Sequence, residues 1–97
     1  MSTDLIGLFR GIVQLETELW NRLEVRLQAE HGVQLAWLEV MQVIRVTPGC
    51  RVLDVARALS ITVGGASKVI DRLAAAGLCR RQPNPKDARS QLIALTP

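Results

Sequence analysis

Small, polar and basic residues share one face of the segment between residues 63 and 76. Apolar residues recur there at steps of three and four and mark the side that packs into a core: Ala66, Val69, Ile70 and Leu73. The opposite side and its flanks carry glycines, hydrogen-bonding side chains and cations: Gly64, Gly65, Ser67, Lys68, Asp71 and Arg72. Because serine, lysine and arginine can contact base edges in the major groove of DNA, this spacing predicts a helix that reads DNA.

The start of the same segment is suited to an anion. Thr62 stands where a helix N-cap is expected, and Gly64 and Gly65 follow it closely. Each glycine costs about 1 kcal/mol of helix propensity relative to alanine, which is reasonable where the backbone must approach another molecule. A DNA phosphate at the positive end of the helix would be such a molecule. Sequence drift in a helix held by packing is the alternative explanation.

A second cluster of charge occupies the segment PNPKDARS, residues 83–90. Two prolines stiffen this tip by fixing their φ angles, while Lys86 and Arg89 bring positive charge to it. An arginine there suits the narrow minor groove of DNA, whose negative potential attracts guanidinium groups. Asp87, two residues before Arg89, is expected to hold Arg89 in a fixed pose by a charge-assisted hydrogen bond. A solvated hairpin with incidental charges is the alternative.

Hydrophobic periodicity supplies a scaffold for both clusters. The sequence predicts four helices and two strands, in the order 5–30, 35–46, 52–59, 63–76, 78–82 and 90–95. The expected fold class is mainly α with a small β-hairpin: a winged helix-turn-helix preceded by a long N-terminal helix. We expect residues 1–32 to form an N-terminal dimerisation helix and residues 33–97 to form the winged helix-turn-helix DNA-binding domain.

The N-terminal helix has more apolar surface than residues 33–97 can cover. Its stripe follows the three- and four-residue steps of a helix and includes Leu5, Leu8, Phe9, Ile12, Leu15 and Leu19. This stripe is expected to pair with a second copy of the chain, which predicts a homodimer. Packing within its own monomer is the alternative.

Charge is distributed unevenly along the chain. The net charge of the 97 residues is +3, but residues 1–50 carry −2 and residues 51–90 carry +5. A basic half is the pattern expected of a protein that binds nucleic acid, although a merely soluble surface would also produce it.

Enzymatic chemistry has little support in the sequence. His31 is the only histidine, and there is no Gly-rich phosphate loop, nucleophile motif or carboxylate cluster, so we expect no enzyme and no cofactor.

Cys50 and Cys79 lack the spacing of a metal site and indicate a reducing compartment. Cys79 is expected to pack inside a strand, and a redox role for Cys50 stays open. The chain has neither a leader pattern nor a membrane-length apolar run, so we expect a cytoplasmic protein without a membrane partner.

Four segments, taken in order, resemble the multiple-antibiotic-resistance regulator (MarR) family of winged-helix transcription factors. They are LDVARALSIT, VIDRLAAAGLCRR, PNPKDARS with its Asp87-x-Arg89 pair, and LIALT. The resemblance implies a homodimer that binds double-stranded DNA at pseudo-palindromic operators, usually as a repressor. By the family pattern, Arg89 enters the minor groove, Asp87 orients it, and the fourth helix enters the major groove.

Members of that family normally continue past the Leu-Thr with two further helices, which complete the dimer and in many members wall a ligand pocket. This sequence is therefore expected to be either a piece of a longer protein or a short form. A small-molecule effector is possible, but its pocket would be incomplete.

The alternative to a DNA-binding regulator is a winged-helix module that uses its basic face on another protein. The arrangement of its cations favours DNA: Lys68, Arg72, Lys86 and Arg89.

Overall fold

The computed structural model describes residues 2–97, with side chains from Asp4 onward. Its elements are α1 (Ser2–His31), α2 (Leu35–Val46), α3 (Val52–Leu59), α4 (Val63–Ala75), β1 (Cys79–Gln82) and β2 (Leu92–Leu95). The predicted fold class, mainly α with a small β-hairpin, is confirmed. In the part of the chain that the structure describes, no helix has both the length and the apolarity to cross a membrane.

The chain divides into two compact units, Met1–Leu35 and Ala36–Pro97. The first unit consists of α1 and the turn after it. Gly32 takes a φ of 64°, a left-handed conformation that suits glycine and ends the helix. The Glu24 carboxylate accepts a hydrogen bond of 2.9 Å from the backbone N–H of Leu35, so the turn folds back onto the helix that precedes it.

The core of the second unit is small and aliphatic. Its buried residues come from α2, the segment that joins α2 to α3, α3, α4 and the hairpin: Val40, Ile44, Cys50, Val55, Ala56, Ala66, Ile70, Leu73, Cys79 and Ile93. Burial of each larger apolar side chain contributes about 1.5–3 kcal/mol to stability. This core fixes which faces of α3 and α4 remain available to solvent.

The hairpin is antiparallel and pairs Cys79 with Leu95 at one end and Gln82 with Leu92 at the other. Both strands are shorter than the predicted 78–82 and 90–95. The backbone N–H of Leu78 bonds to the Leu73 carbonyl at the end of α4, and that of Ser90 bonds to the Asp87 carbonyl at the tip. The backbone N–H of Ile93 donates a hydrogen bond of 2.7 Å to the Cys50 carbonyl. The wing is therefore attached to the segment that joins α2 and α3.

Candidate nucleic-acid interface

The start and phase of α4 are set by its cap and its buried face. The Thr62 hydroxyl accepts a hydrogen bond of 2.9 Å from the backbone N–H of Gly65, which confirms the predicted N-cap. Ala66, Ile70 and Leu73 are fully buried, so the predicted helix phase is confirmed as well. That phase leaves a glycine, two cations and a carboxylate exposed to solvent: Gly64, Lys68, Asp71 and Arg72.

The two glycines at this helix start differ in what surrounds them. A Cβ on Gly65 would lie 3.1 Å from Thr62 Oγ1, closer than ordinary van der Waals contact, so the cap itself favours glycine there. A Cβ on Gly64 would meet nothing within 4 Å in the described chain. Crowding inside the chain therefore explains a glycine at position 65 but not at position 64.

The tip of the wing is built from side chains that bond to nearby backbone. Asn84 Oδ1 accepts a hydrogen bond of 3.0 Å from the backbone N–H of Lys86. Asp87 Oδ1 accepts one of 2.9 Å from the backbone N–H of Arg89. Aspartate and asparagine commonly form such turns with the amide two residues ahead. Each of the two side chains therefore fixes the backbone of one of the cationic residues at the tip.

The hydrogen bond expected between Asp87 and Arg89 is present, and its donor is the backbone N–H of Arg89 and not the guanidinium. The carboxylate binds this amide because an acceptor two residues upstream reaches it within a single tight turn. The Lys86 and Arg89 side chains are exposed, and among the described residues neither takes part in an ion pair or a side-chain hydrogen bond. Both charges project freely from a backbone that is held in place.

Arg81 joins the wing to α4 and was not singled out by the sequence reasoning. One of its terminal nitrogens, Nη2, lies 2.8 Å from Asp71 Oδ1 and 3.0 Å from Ser67 Oγ. Its other terminal nitrogen, Nη1, lies 3.5 Å from Gln91 Oε1. Side chains alternate between the two faces of a strand, so Arg81 falls on the same side of β1 as the buried Cys79. This alternation could have predicted that Arg81 faces the rest of the unit.

A second arginine is fixed at the start of α3. The Asp54 carboxylate accepts hydrogen bonds of 3.1 Å from both Nε and Nη2 of Arg51, and one of 2.9 Å from the backbone N–H of Arg51. These bonds favour the ionised carboxyl and hold the pKa of Asp54 below its ordinary value. The same bonds raise the pKa of Arg51.

An open cleft of about 550 Å³ lies between the start of α3 and the wing. Its charged lining comprises three arginines and one carboxylate: Arg51, Arg81, Arg89 and Asp87. Positive charge therefore continues from the wing tip towards the base of the helix-turn-helix.

Both cysteines are free thiols in the core. Cys50 is 1% exposed and Cys79 is 3% exposed, and the prediction that Cys79 packs inside a strand is confirmed. Burial raises the pKa of both thiols, and the nearby Asp54 raises that of Cys50 further. Because the thiolate is the reactive form, these surroundings argue against the redox role left open for Cys50. Within residues 2–97, no three His, Cys, Asp or Glu side chains gather as a metal site would need.

Comparison with known proteins supplies the family. The family model described as MarR family matches residues 31–90. The chain belongs to the MarR family. It is 31% identical over 95 residues to the multiple antibiotic resistance protein MarR of Escherichia coli K12, covering 92% of this chain and 66% of that protein. It is 38% identical over 45 residues to MarR of Salmonella typhimurium, covering 46% of this chain and 31% of that protein.

Solved MarR-family structures share the fold of this chain. A cysteine-to-serine mutant of E. coli MarR complexed with operator DNA matches with a TM-score of 0.87 and 28% identity, over 96% of this chain and 66% of that one. A MarR family transcriptional regulator from Streptomyces coelicolor in complex with DNA matches with a TM-score of 0.84 and 26% identity, over 92% and 57%. This MarR-family chain therefore spans part of the length of each of these relatives.

The predicted site residues fall into three groups. One group lies on the exposed or half-exposed start and outer side of α4: Thr62, Gly64, Gly65, Ser67, Lys68 and Arg72. The second lies at the exposed wing tip: Lys86, Asp87 and Arg89. The third lies on α1 in the first unit, where every member is at least half exposed: Leu5, Leu8, Phe9, Ile12, Leu15 and Leu19.

Proposed function

We propose that this chain is a sequence-specific double-stranded DNA-binding transcriptional regulator that acts as a homodimeric repressor. The carrying observation is the pair of free cationic surfaces in one unit. Lys68 and Arg72 are exposed on the outer face of α4, and Lys86 and Arg89 are exposed on the wing. Helix and wing are joined by the hydrogen bonds of Arg81. The likeness to MarR complexed with operator DNA supports the same use of this surface.

In this proposal α4 lies in the major groove and the wing reaches the adjacent minor groove. Lys68 and Arg72 contact phosphates and base edges, and Ser67 contacts a base edge. The backbone at Gly64 approaches a phosphate, which accounts for a glycine that no contact inside the chain requires. Arg89 enters the minor groove, where its unpaired guanidinium meets the strongest negative potential.

The homodimer is proposed from the first unit. The six apolar residues of the α1 stripe are exposed by 51–67%, and a second copy related by a two-fold axis would bury them. Such symmetry places two copies of α4 about one DNA turn apart, roughly 34 Å. The operator is then pseudo-palindromic, because each half-site meets the same surface.

The decisive experiment is a selection followed by a salt titration. A duplex library with roughly 20 randomised base pairs spans about two DNA turns and would be enriched on the purified chain. Affinity for the selected duplex and for a shuffled duplex of equal length is then measured by fluorescence anisotropy between about 50 and 200 mM salt. We expect a palindromic consensus, a higher affinity for the selected duplex, and affinities that fall steeply with salt.

Repression is tested separately by placing the selected duplex within a promoter and measuring transcription in vitro. The chain should lower transcript yield from that promoter and leave a promoter with the shuffled duplex unchanged. A chain that enriches no sequence and shows no salt-dependent duplex binding would contradict the proposal. That result would favour the use of the basic face on another protein.

A further inference from the structure

Arg81 is mostly covered by its neighbours, unlike the exposed cations of α4 and the wing tip. It points from β1 to the outer side of α4, where it meets Ser67 and Asp71, and it extends to Gln91 before β2. Its side chain is 24% exposed, whereas that of Asp71 is 67% exposed. The guanidinium is therefore largely covered between the wing and the helix, while the charge it neutralises faces solvent.

We propose that Arg81 is a positioning residue for base recognition, which fixes the Ser67 hydroxyl as a hydrogen-bond donor towards DNA. This inference rests on the proposed DNA-binding function. It assigns Arg81 an indirect role, in which Arg81 acts on DNA through Ser67. It depends on the hydrogen-bonding capacity of the two groups and on the place of Ser67 on α4.

The polarity of the contact follows from the chemistry of arginine. A guanidinium carries N–H donors and no acceptor, so Ser67 Oγ must accept in the 3.0 Å contact with Arg81 Nη2. The same nitrogen lies 3.4 Å from the Ser67 carbonyl, so one of its hydrogens is shared by both oxygens of Ser67 and the other meets Asp71. One lone pair of the Ser67 hydroxyl is therefore occupied by a cation.

The hydroxyl hydrogen of Ser67 stays available. A helical serine often donates to the carbonyl four residues earlier, as Thr17 does to Val13 at 2.9 Å in α1. Among the described residues, Ser67 Oγ has no hydrogen-bond partner other than Arg81. A cationic donor on the oxygen also polarises the hydroxyl, which strengthens it as a donor and weakens it as an acceptor. Ser67 thus presents a donor to whatever lies against α4.

A donor at this position discriminates between bases. In the major groove, guanine N7 and O6, adenine N7 and thymine O4 are acceptors, whereas the amino groups of cytosine and adenine are donors. Ser67 held by Arg81 therefore prefers a base pair that places one of these acceptors, and not an amino group, opposite its hydroxyl. Without Arg81, the hydroxyl rotates freely or donates to its own helix, and the preference at that base pair weakens. Asp71 would also lose its cation and would oppose a phosphate near Lys68 and Arg72.

The test is a double-mutant cycle in which the measured quantity is the preference for one base pair over the others. Arg81→Met, Ser67→Ala and the double variant are measured by fluorescence anisotropy on the duplex selected with wild type and on single-base-pair variants of it. We expect each single variant to lose about fivefold discrimination at one shared base pair, the lower end of what one contact contributes. The double variant should lose no more there than Ser67→Ala alone, because the two residues act through one contact.

A matched control separates this role from a simple decrease in positive charge. Arg80→Met removes one cation from the neighbouring, exposed position on β1, and should lower affinity for all duplexes alike without changing base preference. Circular dichroism checks that each variant is folded. If Arg81→Met unfolds, the same measurements are made on Arg81→Gln, which keeps a polar side chain but is shorter than arginine and brings no cation to Ser67 and Asp71.

The outcomes are distinguishable. Relaxed preference at the base pair that Ser67→Ala also affects would support the inference. A folded Arg81 variant that keeps the wild-type base preference, or whose loss adds fully to that of Ser67→Ala, would overturn it and leave the proposed function intact. A wild-type chain that selects no duplex would contradict the proposed function itself, and this inference with it.

Discussion

The backbone N–H of Arg89 donates a hydrogen bond of 2.9 Å to the Asp87 carboxylate, while the Arg89 guanidinium has no partner among the described residues. The contact orders the turn and leaves the cation free. It needs an acceptor oxygen at position 87 but does not need a negative charge there. This distinguishes it from an ion pair, in which removal of the charge would release the guanidinium.

Replacement of Asp87 shows whether binding depends on its acceptor oxygen or on its negative charge. Asp87→Asn keeps an oxygen that can accept from the Arg89 amide, so we expect affinity for the selected duplex at or slightly above that of wild type. Asp87→Ala removes the acceptor and should weaken binding, because the turn that presents Arg89 loses its order. Fluorescence anisotropy at one fixed salt concentration checks both. An asparagine variant as weak as the alanine variant would show that the charge itself is needed.

Arg89→Ala should weaken binding to the selected duplex by about 1–3 kcal/mol, because it removes the contact proposed for the minor groove. The thermal unfolding midpoint should change little, since the side chain is exposed and unpaired. Arg45→Ala removes the same charge from an exposed position on α2 and serves as the control. Equal affinities of Arg89→Ala and wild type at the same salt would refute the role assigned to the wing.

Local signals predicted much of this fold. The end of α2 and the start of α4 agree with the sequence prediction because Pro48 and Gly49 follow α2 and Thr62 caps α4, and such signals act within a few residues. The orientation of α4 followed from its apolar spacing, because only one face can enter the core. The exposed cations were found by elimination from that face.

Two features of the site lay beyond the sequence because each depends on a choice between partners. Arg81 meets Ser67 and Asp71 only when β1 is placed against α4. These partners precede it in the sequence by 14 and 10 positions. Asp87 had two possible partners in Arg89, the guanidinium and the amide, and turn geometry decided for the amide. Residue types and spacing do not distinguish these alternatives.

The two faces of α4 predict opposite effects of alanine. Lys68→Ala or Arg72→Ala should lower affinity and reduce the slope of log affinity against log salt by about one unit for each phosphate that the variant no longer binds. Ile70→Ala should instead lower the free energy of unfolding by roughly 2–5 kcal/mol, because it leaves a cavity in the core. Denaturant titration measures stability, and anisotropy across salt concentrations measures binding. Unchanged salt slopes for both lysine and arginine variants would remove α4 from the interface.

The ion pair between Arg51 and Asp54 should give stability a measurable pH dependence. The folded pKa of Asp54 is lowered by its bonds to Arg51, so its contribution is present above the unfolded pKa of about 3.9 and is lost as pH falls through the folded value. At pH 7, Asp54→Ala should reduce the free energy of unfolding by about 1 kcal/mol, and that difference should shrink in acid. Denaturant titration from pH 7 to acid measures this without DNA.

Asp54→Asn is the matched control for that titration. It retains an acceptor for the backbone N–H of Arg51 but has no charge to lose, so its stability relative to Asp54→Ala should not vary with pH. A gap between wild type and Asp54→Ala that stays constant into acid would show that the ion pair contributes nothing measurable.

The apolar stripe of α1 predicts assembly, and charge placed on it should abolish that assembly. Leu8→Lys combined with Ile12→Lys puts two cations at residues that are 63% and 58% exposed in the single chain but would be buried between two copies. Sedimentation should then change from dimer to monomer. The added positive charge would by itself favour DNA, so weaker binding to a palindromic duplex cannot result from charge alone. Binding to an isolated half-site should fall far less.

Gln14→Lys combined with Asn21→Lys provides the control, because it adds the same charge at exposed polar positions on the side of α1 opposite the stripe. This control should remain dimeric and should bind the palindromic duplex at least as well as wild type. If wild type sediments as a monomer at high concentration, the stripe does not pair the copies and the palindromic operator loses its basis. Binding to a half-site would survive that result, because the contacts of α4 and the wing belong to a single copy.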